Sequence, residues 1–451
     1  MAQPEVTTQS AQKRKKNFAE VSSGYPKKLA IEEARRYPQH LNSVDVSGCP
    51  IGVDVPAFIR MLREGQVAAA YEKIKEANCL PAICGRVCPA PCETMTALNQ
   101  DAAPISIRAL ERFAADYGKS RSVKKLSSAR KTKVGVIGSG PAGLAAASEL
   151  AKYGYQVVIY ESLDKPGGIL RYGIPEFRIP KKVLDQEIND LVSAGIEIKT
   201  NFFIGQTLTI DDLFKEGFKA ILLATGAGIP KFMDLLGSNL GGVYYGEEFL
   251  MRANLTKRNI FSPSSSHFIV GPRLAVIGSG NTALDCARVG VRWGCETTLI
   301  FRGTTEDMRV RASERKYGEE EGIRFEPLTK PVEILGDQND FVRGLRCIHM
   351  DYADAQANGQ WELIPVPDSE FVIEADSVVI AIGHEANSMA IRHHPHFKLN
   401  SDGTVAMDSQ TAMTSVAGVF ACGNIVTNAG NVVEAMLSGK RAAQSIERYL
   451  Q

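Results

Sequence analysis

Val134-Gly135-Val136-Ile137-Gly138-Ser139-Gly140-Pro141-Ala142-Gly143 is a short β-branched run that ends in a full G-x-G-x-x-G loop. A helical stretch, Ala142 to Tyr153, and a second apolar strand, Val157 to Tyr160, follow it. In a strand–loop–helix–strand unit of this kind the first glycine permits the tight turn. The second lets the backbone approach a pyrophosphate, and the third lets helix and sheet pack closely. The helix N-terminus then offers unpaired N–H groups to the phosphates. Glu161 closes the second strand, where a carboxylate accepts the ribose hydroxyls of a dinucleotide. The first candidate cofactor loop is therefore Gly138, Gly140, Pro141, Ala142 and Gly143, with Glu161 opposite.

The same unit recurs between Leu274 and Ile300, with Gly278, Gly280, Asn281, Thr282 and Ala283 in its loop. Its second strand, Thr298 to Phe301, ends on Arg302 instead of an acid. A carboxylate there selects the 2′-hydroxyl of NAD, whereas an arginine selects the 2′-phosphate of NADP. Arg302 thus points to NADP, with NAD as the alternative because Gly303 follows in place of a second arginine. A further strand, Ser377 to Ala381, precedes Gly383, and a final helix runs from about Asn431 to Tyr449. Two β-α-β units imply two domains with parallel sheets. Two dinucleotide sites in one chain imply a flavin beside a nicotinamide, where the cofactors carry the chemistry and no acid–base side chain is demanded.

The chain has 451 residues, enough for about three domains. Its 44% hydrophobic and 23% charged residues are a globular balance, which excludes a coiled coil or a disordered tail. A net charge of +1 gives no reason to expect nucleic acid as a partner. No apolar run reaches the roughly 18 residues of a membrane span. The N-terminus is polar and then basic, so a cytoplasmic protein without a membrane partner is expected. Nine cysteines are present, five of them between Cys49 and Cys92, a cluster that reads as metal or redox chemistry. The segment to about Tyr117 is helical, over Ile31–Arg36, Pro56–Ala77 and Ile105–Tyr117, and a basic stretch, Gly118 to Lys133, follows as a linker. The absence of any C-x-x-C argues against a thioredoxin-reductase dithiol. His393, His394 and His396 read as a surface loop.

Several longer motifs resemble the iron–sulfur flavoprotein family of the glutamate synthase small subunit. They are Asn17-Phe18-x-Glu20-Val21, Gly48-Cys49-Pro50, Cys84-Gly85-Arg86-Val87-Cys88-Pro89, Gly167 through Arg178, Ala224-Thr225-Gly226, Asn239 through Val243 and Gly280-Asn281. The large subunit of NADH-dependent ferredoxin:NADP oxidoreductase and the N-terminal half of dihydropyrimidine dehydrogenase share the pattern. The resemblance implies an α/β protein with an N-terminal helical iron–sulfur domain and two Rossmann-like dinucleotide-binding domains, the FAD domain split in sequence. The expected boundaries are 1–129 for the iron–sulfur domain and linker, 130–250 and 386–451 for the FAD domain, and 251–385 for the NAD(P) domain. FAD is expected at the first loop and NADP at the second. Gly168, Leu170, Arg178, Thr225, Gly383, Gly423, Asn424, Asn431 and Val432 are further cofactor-binding positions on this resemblance. Asn424 stands where the family has an aspartate toward the flavin ribityl chain, and its amide oxygen still accepts a hydrogen bond.

Family members hold two interleaved four-iron clusters. The ligand positions of the distal one are here Tyr37, His40, Asp45 and Thr96, none of them a thiol. Those of the cluster nearer the flavin are Cys49, Cys88, Cys92 and Glu111, all present. The resemblance therefore implies one [4Fe–4S] cluster, with Cys84 as a spare thiol and zinc as the alternative occupant. The implied activity is electron transfer between NADPH, FAD, that cluster and a partner subunit or ferredoxin. A stand-alone ferredoxin:NAD(P) reductase with a diffusible acceptor and a degenerate structural subunit are the other readings.

Overall fold

The computed structural model describes residues 4–38, 48–94, 103–119, 130–257, 270–353 and 361–451. Two five-stranded, wholly parallel sheets organise the chain from residue 130 onward. The first runs in the order Val419–Ala421, Phe218–Leu223, Lys133–Ile137, Gln156–Tyr160, Glu197–Lys199. The second runs Arg324–Glu326, Glu296–Ile300, Arg273–Ile277, Ser377–Ile380, Val243–Tyr245. Their central strands are apolar and buried along nearly their whole length, as parallel strands covered on both faces must be, whereas the edge strands Glu197–Lys199 and Arg324–Glu326 are partly exposed. The edge strand Val419–Ala421 returns from the end of the chain, so the first unit is split and the second is inserted into it. The chain crosses to the second sheet ahead of residue 250, because Val243–Tyr245 pairs with Val378–Ile380 and not with the first sheet.

The helix Pro141–Lys152 packs against the C-terminal helix Val432–Leu450. The two approach so closely at Gly439 that a Cβ there would lie 2.2 Å from the Ala142 carbonyl oxygen. The N-terminal helices Lys27–Arg36, Val55–Arg63, Val67–Lys75, Pro81–Val87 and Ile107–Tyr117 dock behind this pair. Ile74, Leu80, Ile83 and Leu110 share one continuous core with Leu144 and Met436. The stretch Pro56–Ala77, expected as one helix, is two. Gly65, at φ +77°, turns the chain between them.

Thr329–Gly336, Val342–Tyr352 and Leu363–Glu374 form an antiparallel sheet attached to the second unit, which the sequence reading did not anticipate. The short helix Ala11–Arg14 straps the N-terminus to the same unit. Arg14 reaches Glu321, which also receives Arg288 and Arg292. Among the described residues no helix is long and apolar enough to cross a membrane.

Candidate cofactor sites

The first loop has the geometry its glycines imply. Gly138 adopts φ +105°, and its N–H donates to the Tyr160 carbonyl at 2.8 Å, joining loop to sheet. A Cβ on Gly143 would lie 2.0 Å from the Gly138 oxygen, so the helix can sit this close only on a glycine. A Cβ on Gly140 would instead meet no atom within 4 Å. The loop therefore leaves open space at the residue where backbone must approach phosphate.

Two remote segments close on the same loop. A Cβ on Gly168 would come within 2.9 Å of the Gly140 Cα, and one on Gly423 within 2.8 Å of the Ala142 Cβ. Ser139, to which the loop motif assigns no role, ties these parts together. It is fully buried, its N–H donates to Glu161 Oε2 at 3.1 Å, and its hydroxyl accepts from Gly167 N–H at 2.9 Å. Glu161 also takes a very short hydrogen bond from the Ser139 hydroxyl and one from Leu163 N–H at 2.9 Å. The carboxylate expected at the ribose is thus also what braces the loop.

The other positions singled out in sequence have defined places. The Thr225 hydroxyl donates to the Asn387 carbonyl at 2.6 Å, tying together the segments that follow Phe218–Leu223 and His384–Glu385. The Leu170 carbonyl accepts from Lys181 Nζ at 3.0 Å. Asn431 caps the C-terminal helix, accepting from Val433 and Glu434 N–H at 3.1 Å each, while Glu434 accepts from Asn431 N–H at 3.0 Å. This capping box uses two first-turn donors and leaves Val432 N–H at the end nearest Gly430 and Asn424. Arg178 is engaged between units, with Nη1 2.7 Å from Asp285 Oδ2 on the helix Asn281–Arg292.

The second loop repeats the geometry. Gly278 has φ +141° with its N–H on the Ile300 carbonyl at 2.9 Å, and Gly280 again faces open space. So does Gly383 at φ +122°. The Asn281 amide reaches the Arg309 carbonyl at 3.4 Å, and Thr282 packs where Gly246 begins its helix. Arg302 is exposed and makes no hydrogen bond or ion pair among the described residues. Gly303 is explained by its neighbour, since a Cβ would lie 2.8 Å from the Asp307 carboxylate that holds the Thr304 turn.

Cys49, Cys88, Cys92 and Glu111 line one cavity, together with Cys84, Asn78, Arg108 and Val433. The helices Pro81–Val87 and Ile107–Tyr117 bring them together. A Cβ on Gly85 would lie 2.5 Å from the Arg112 Cα, and that contact sets the cysteines opposite Glu111. The Asn78 amide donates to Glu111 Oε1 at 2.7 Å. Cys84 turns its sulfur to within 3.6 Å of Met436 Sδ. Burial, and then the neighbouring Glu111, push the Cys88 thiol up to about 12. Burial likewise pushes the Glu111 carboxyl up to about 7.

Three thiols and a carboxyl in so apolar a cavity can ionise together only around positive charge, which is what an iron–sulfur core supplies. Among the described residues no three His, Cys, Asp or Glu side chains converge on a single ion. Three thiolates and a carboxylate are a donor set that a four-iron cluster would take. Tyr37 lies in the helical core, and His40, Asp45 and Thr96 lie outside the described residues. All nine cysteines are free, and none pairs as a redox disulfide.

Residues 132–439 match the family described as pyridine nucleotide-disulphide oxidoreductase. Residues 14–123 match that described as dihydropyrimidine dehydrogenase domain II, 4Fe–4S cluster. The NADP(+)-dependent formate dehydrogenase subunit beta of Moorella thermoacetica is 34% identical over 89% of this chain, which spans 59% of that protein. The glutamate synthase [NADPH] small chain of Azospirillum brasilense is 32% identical over 97% of this chain and 93% of its own length. Mycobacterium tuberculosis FprA in complex with NADPH shares the fold at a TM-score of 0.59 and 16% identity, over 71% of this chain and 85% of its own. The chain belongs to the pyridine nucleotide-disulphide oxidoreductase family, in the glutamate synthase small-subunit-like group, and is an NAD(P)H-dependent flavin oxidoreductase whose cofactors are FAD, NAD(P) and a [4Fe–4S] cluster.

Proposed function

We propose that the chain moves electrons between NADPH, FAD, one [4Fe–4S] cluster and a partner protein. On this reading Gly138–Gly143, Glu161, Gly168, Gly423, Asn424 and Val432 hold FAD, and Gly278–Thr282, Arg302 and Gly383 hold NADPH. Cys49, Cys88, Cys92 and Glu111 hold the cluster. When bound, the flavin supplies the exchange of a two-electron hydride for one-electron transfers.

The observation that carries the proposal is the C-terminal helix. Its first turn begins beside Gly423 and Asn424, where a Cβ on Gly430 would lie 3.0 Å from Asn424 Oδ1. Val433, in the same turn, lines the cysteine cavity, and Met436, one turn on, touches Cys84. One short span of helix thus joins the flavin loop to the cluster cavity. A partner subunit is favoured over a diffusible acceptor because the relatives include proteins named as a beta subunit and as a small chain.

The test is a pair of substitutions at the two open glycines. Gly280→Val should leave yellow protein that NADPH no longer bleaches under anaerobic conditions. Gly140→Val should give colourless protein. The reverse pattern would overturn the assignment of the loops.

A further inference from the structure

Arg108 and Arg311 stand out among the half-buried cations that the proposed electron path does not use. Arg108 lines the cysteine cavity; its Nη1 donates to the Arg86 carbonyl at 2.9 Å, while its Nε is buried with no hydrogen-bond partner. Arg311 comes from the other side, at the N-cap of Ala312–Glu321 in the nucleotide-binding unit, and its Nη2 is likewise buried without a partner. The two guanidiniums lie within coulombic reach of each other and Arg311 within reach of Cys88.

The acids nearby are already engaged. Glu314 receives Arg288 at 2.5 Å and Arg178 at 3.9 Å, and Glu93 accepts the Arg108 backbone N–H at 2.9 Å. Each guanidinium nevertheless keeps one buried N–H without a partner, and such a donor is stabilised by an anion placed beside it. A four-iron core with three thiolates and a carboxylate is anionic, and it gains one more negative charge on reduction. Cations and N–H donors beside it favour the reduced form, and net charge and hydrogen bonding to sulfur are what set such potentials.

We propose that Arg108 and Arg311 form a cationic wall on the cluster that raises its reduction potential against the lowering effect of the Glu111 carboxylate. They are positioning residues, and Arg311 makes the cluster's potential depend on the seating of the nucleotide-binding unit. This rests on the cluster assignment above.

The experiment is an anaerobic potentiometric titration of the full chain, followed by the EPR signal of the reduced cluster. Iron and FAD are counted in the same samples. Arg311→Gln should keep its iron and shift the reduction equilibrium at least tenfold toward the oxidised form, about 59 mV for one electron. Arg311→Lys, which keeps the charge, should stay near the wild-type midpoint, and Arg108→Gln should move it in the same direction as Arg311→Gln. Arg108→Gln decides the matter if Arg311→Gln loses its cluster. Midpoints within twofold of wild type, about 18 mV, in the charge-removing variants that retain iron would overturn the proposal. A purely packing role would lower iron content without moving the midpoint. Absence of iron from the wild-type protein would instead refute the cluster assignment itself, and the wall with it.

Discussion

Gly140 and Gly143 sit three residues apart in one loop, yet alanine should fail in opposite ways at the two positions. At Gly143 the added Cβ would lie 2.0 Å from the Gly138 oxygen, against the roughly 3.4 Å of ordinary contact. The helix Pro141–Lys152 must withdraw by more than an ångström, and it is clamped from behind by the C-terminal helix at Gly439. Overpacking of a fixed core costs about 1–3 kcal/mol, so Gly143→Ala should lower the melting temperature of the flavin-free protein. At Gly140 the Cβ meets no protein atom, and φ is −69°, which any residue adopts. Gly140→Ala should leave the flavin-free protein as stable as wild type. Its methyl, however, occupies the space where backbone N–H groups meet the pyrophosphate. Loss of one charge-assisted hydrogen bond costs about 1.5–3 kcal/mol, which weakens FAD roughly ten- to a hundredfold. Thermal unfolding of both apoproteins, with FAD affinity from fluorescence titration, separates the two effects. Wild-type FAD affinity in Gly140→Ala would refute the placement of the pyrophosphate at this loop.

If Arg302 meets the 2′-phosphate as proposed, Arg302→Ala should weaken NADPH about ten- to a hundredfold and NADH little; binding titrations with both nucleotides check this. Glu321→Gln leaves Arg14, Arg288 and Arg292 buried around a neutral group, and denaturant unfolding should show a loss of about 3–5 kcal/mol. The same cluster predicts acid sensitivity. Burial alone would raise the Glu321 carboxyl, but hydrogen bonds and charge from Arg292 and Arg288 outweigh it and hold it at about 2, below the ordinary 4.5. A depressed folded-state value stabilises the fold above pH 4.5, and that contribution fades as pH falls toward 2. Stability measured from pH 6 to pH 2 should decline across this window in wild type and more weakly in Glu321→Gln.

The parts of the fold that depend on near neighbours were legible in the sequence. Both loops announce themselves because turn and phosphate approach each demand glycine at a fixed spacing, and the first adds Gly143 for helix packing where the second has Ala283. The quartet of Cys49, Cys88, Cys92 and Glu111 was legible only through the family pattern, because the cysteines and Glu111 are brought together by packing at Gly85 and not by local spacing. What sequence could not show depends on long separations. Arg14 and Glu321 are 307 residues apart, and Cys84 and Met436 are 352 apart. Nothing in the sequence near Arg311 signals that it comes within coulombic reach of Cys88. Ser139 was missed because the motif reads its position as free, whereas here a buried hydroxyl links Glu161 to Gly167. The antiparallel sheet around Val342–Tyr352 carries alternating burial, but at its edge strand, Leu363–Glu374, most residues are exposed and the apolar pattern is weak.

The most direct test of the account is the iron and flavin content of anaerobically purified protein, wild type beside Cys88→Ser. One [4Fe–4S] cluster held by Cys49, Cys88, Cys92 and Glu111 predicts about four irons per FAD in wild type. Cys88→Ser should lose most of that iron and keep its FAD, since Cys88 contributes nothing to the loop Gly138–Gly143. A reproducible count near eight irons, or iron that survives the joint loss of Cys88 and Cys92, would contradict it.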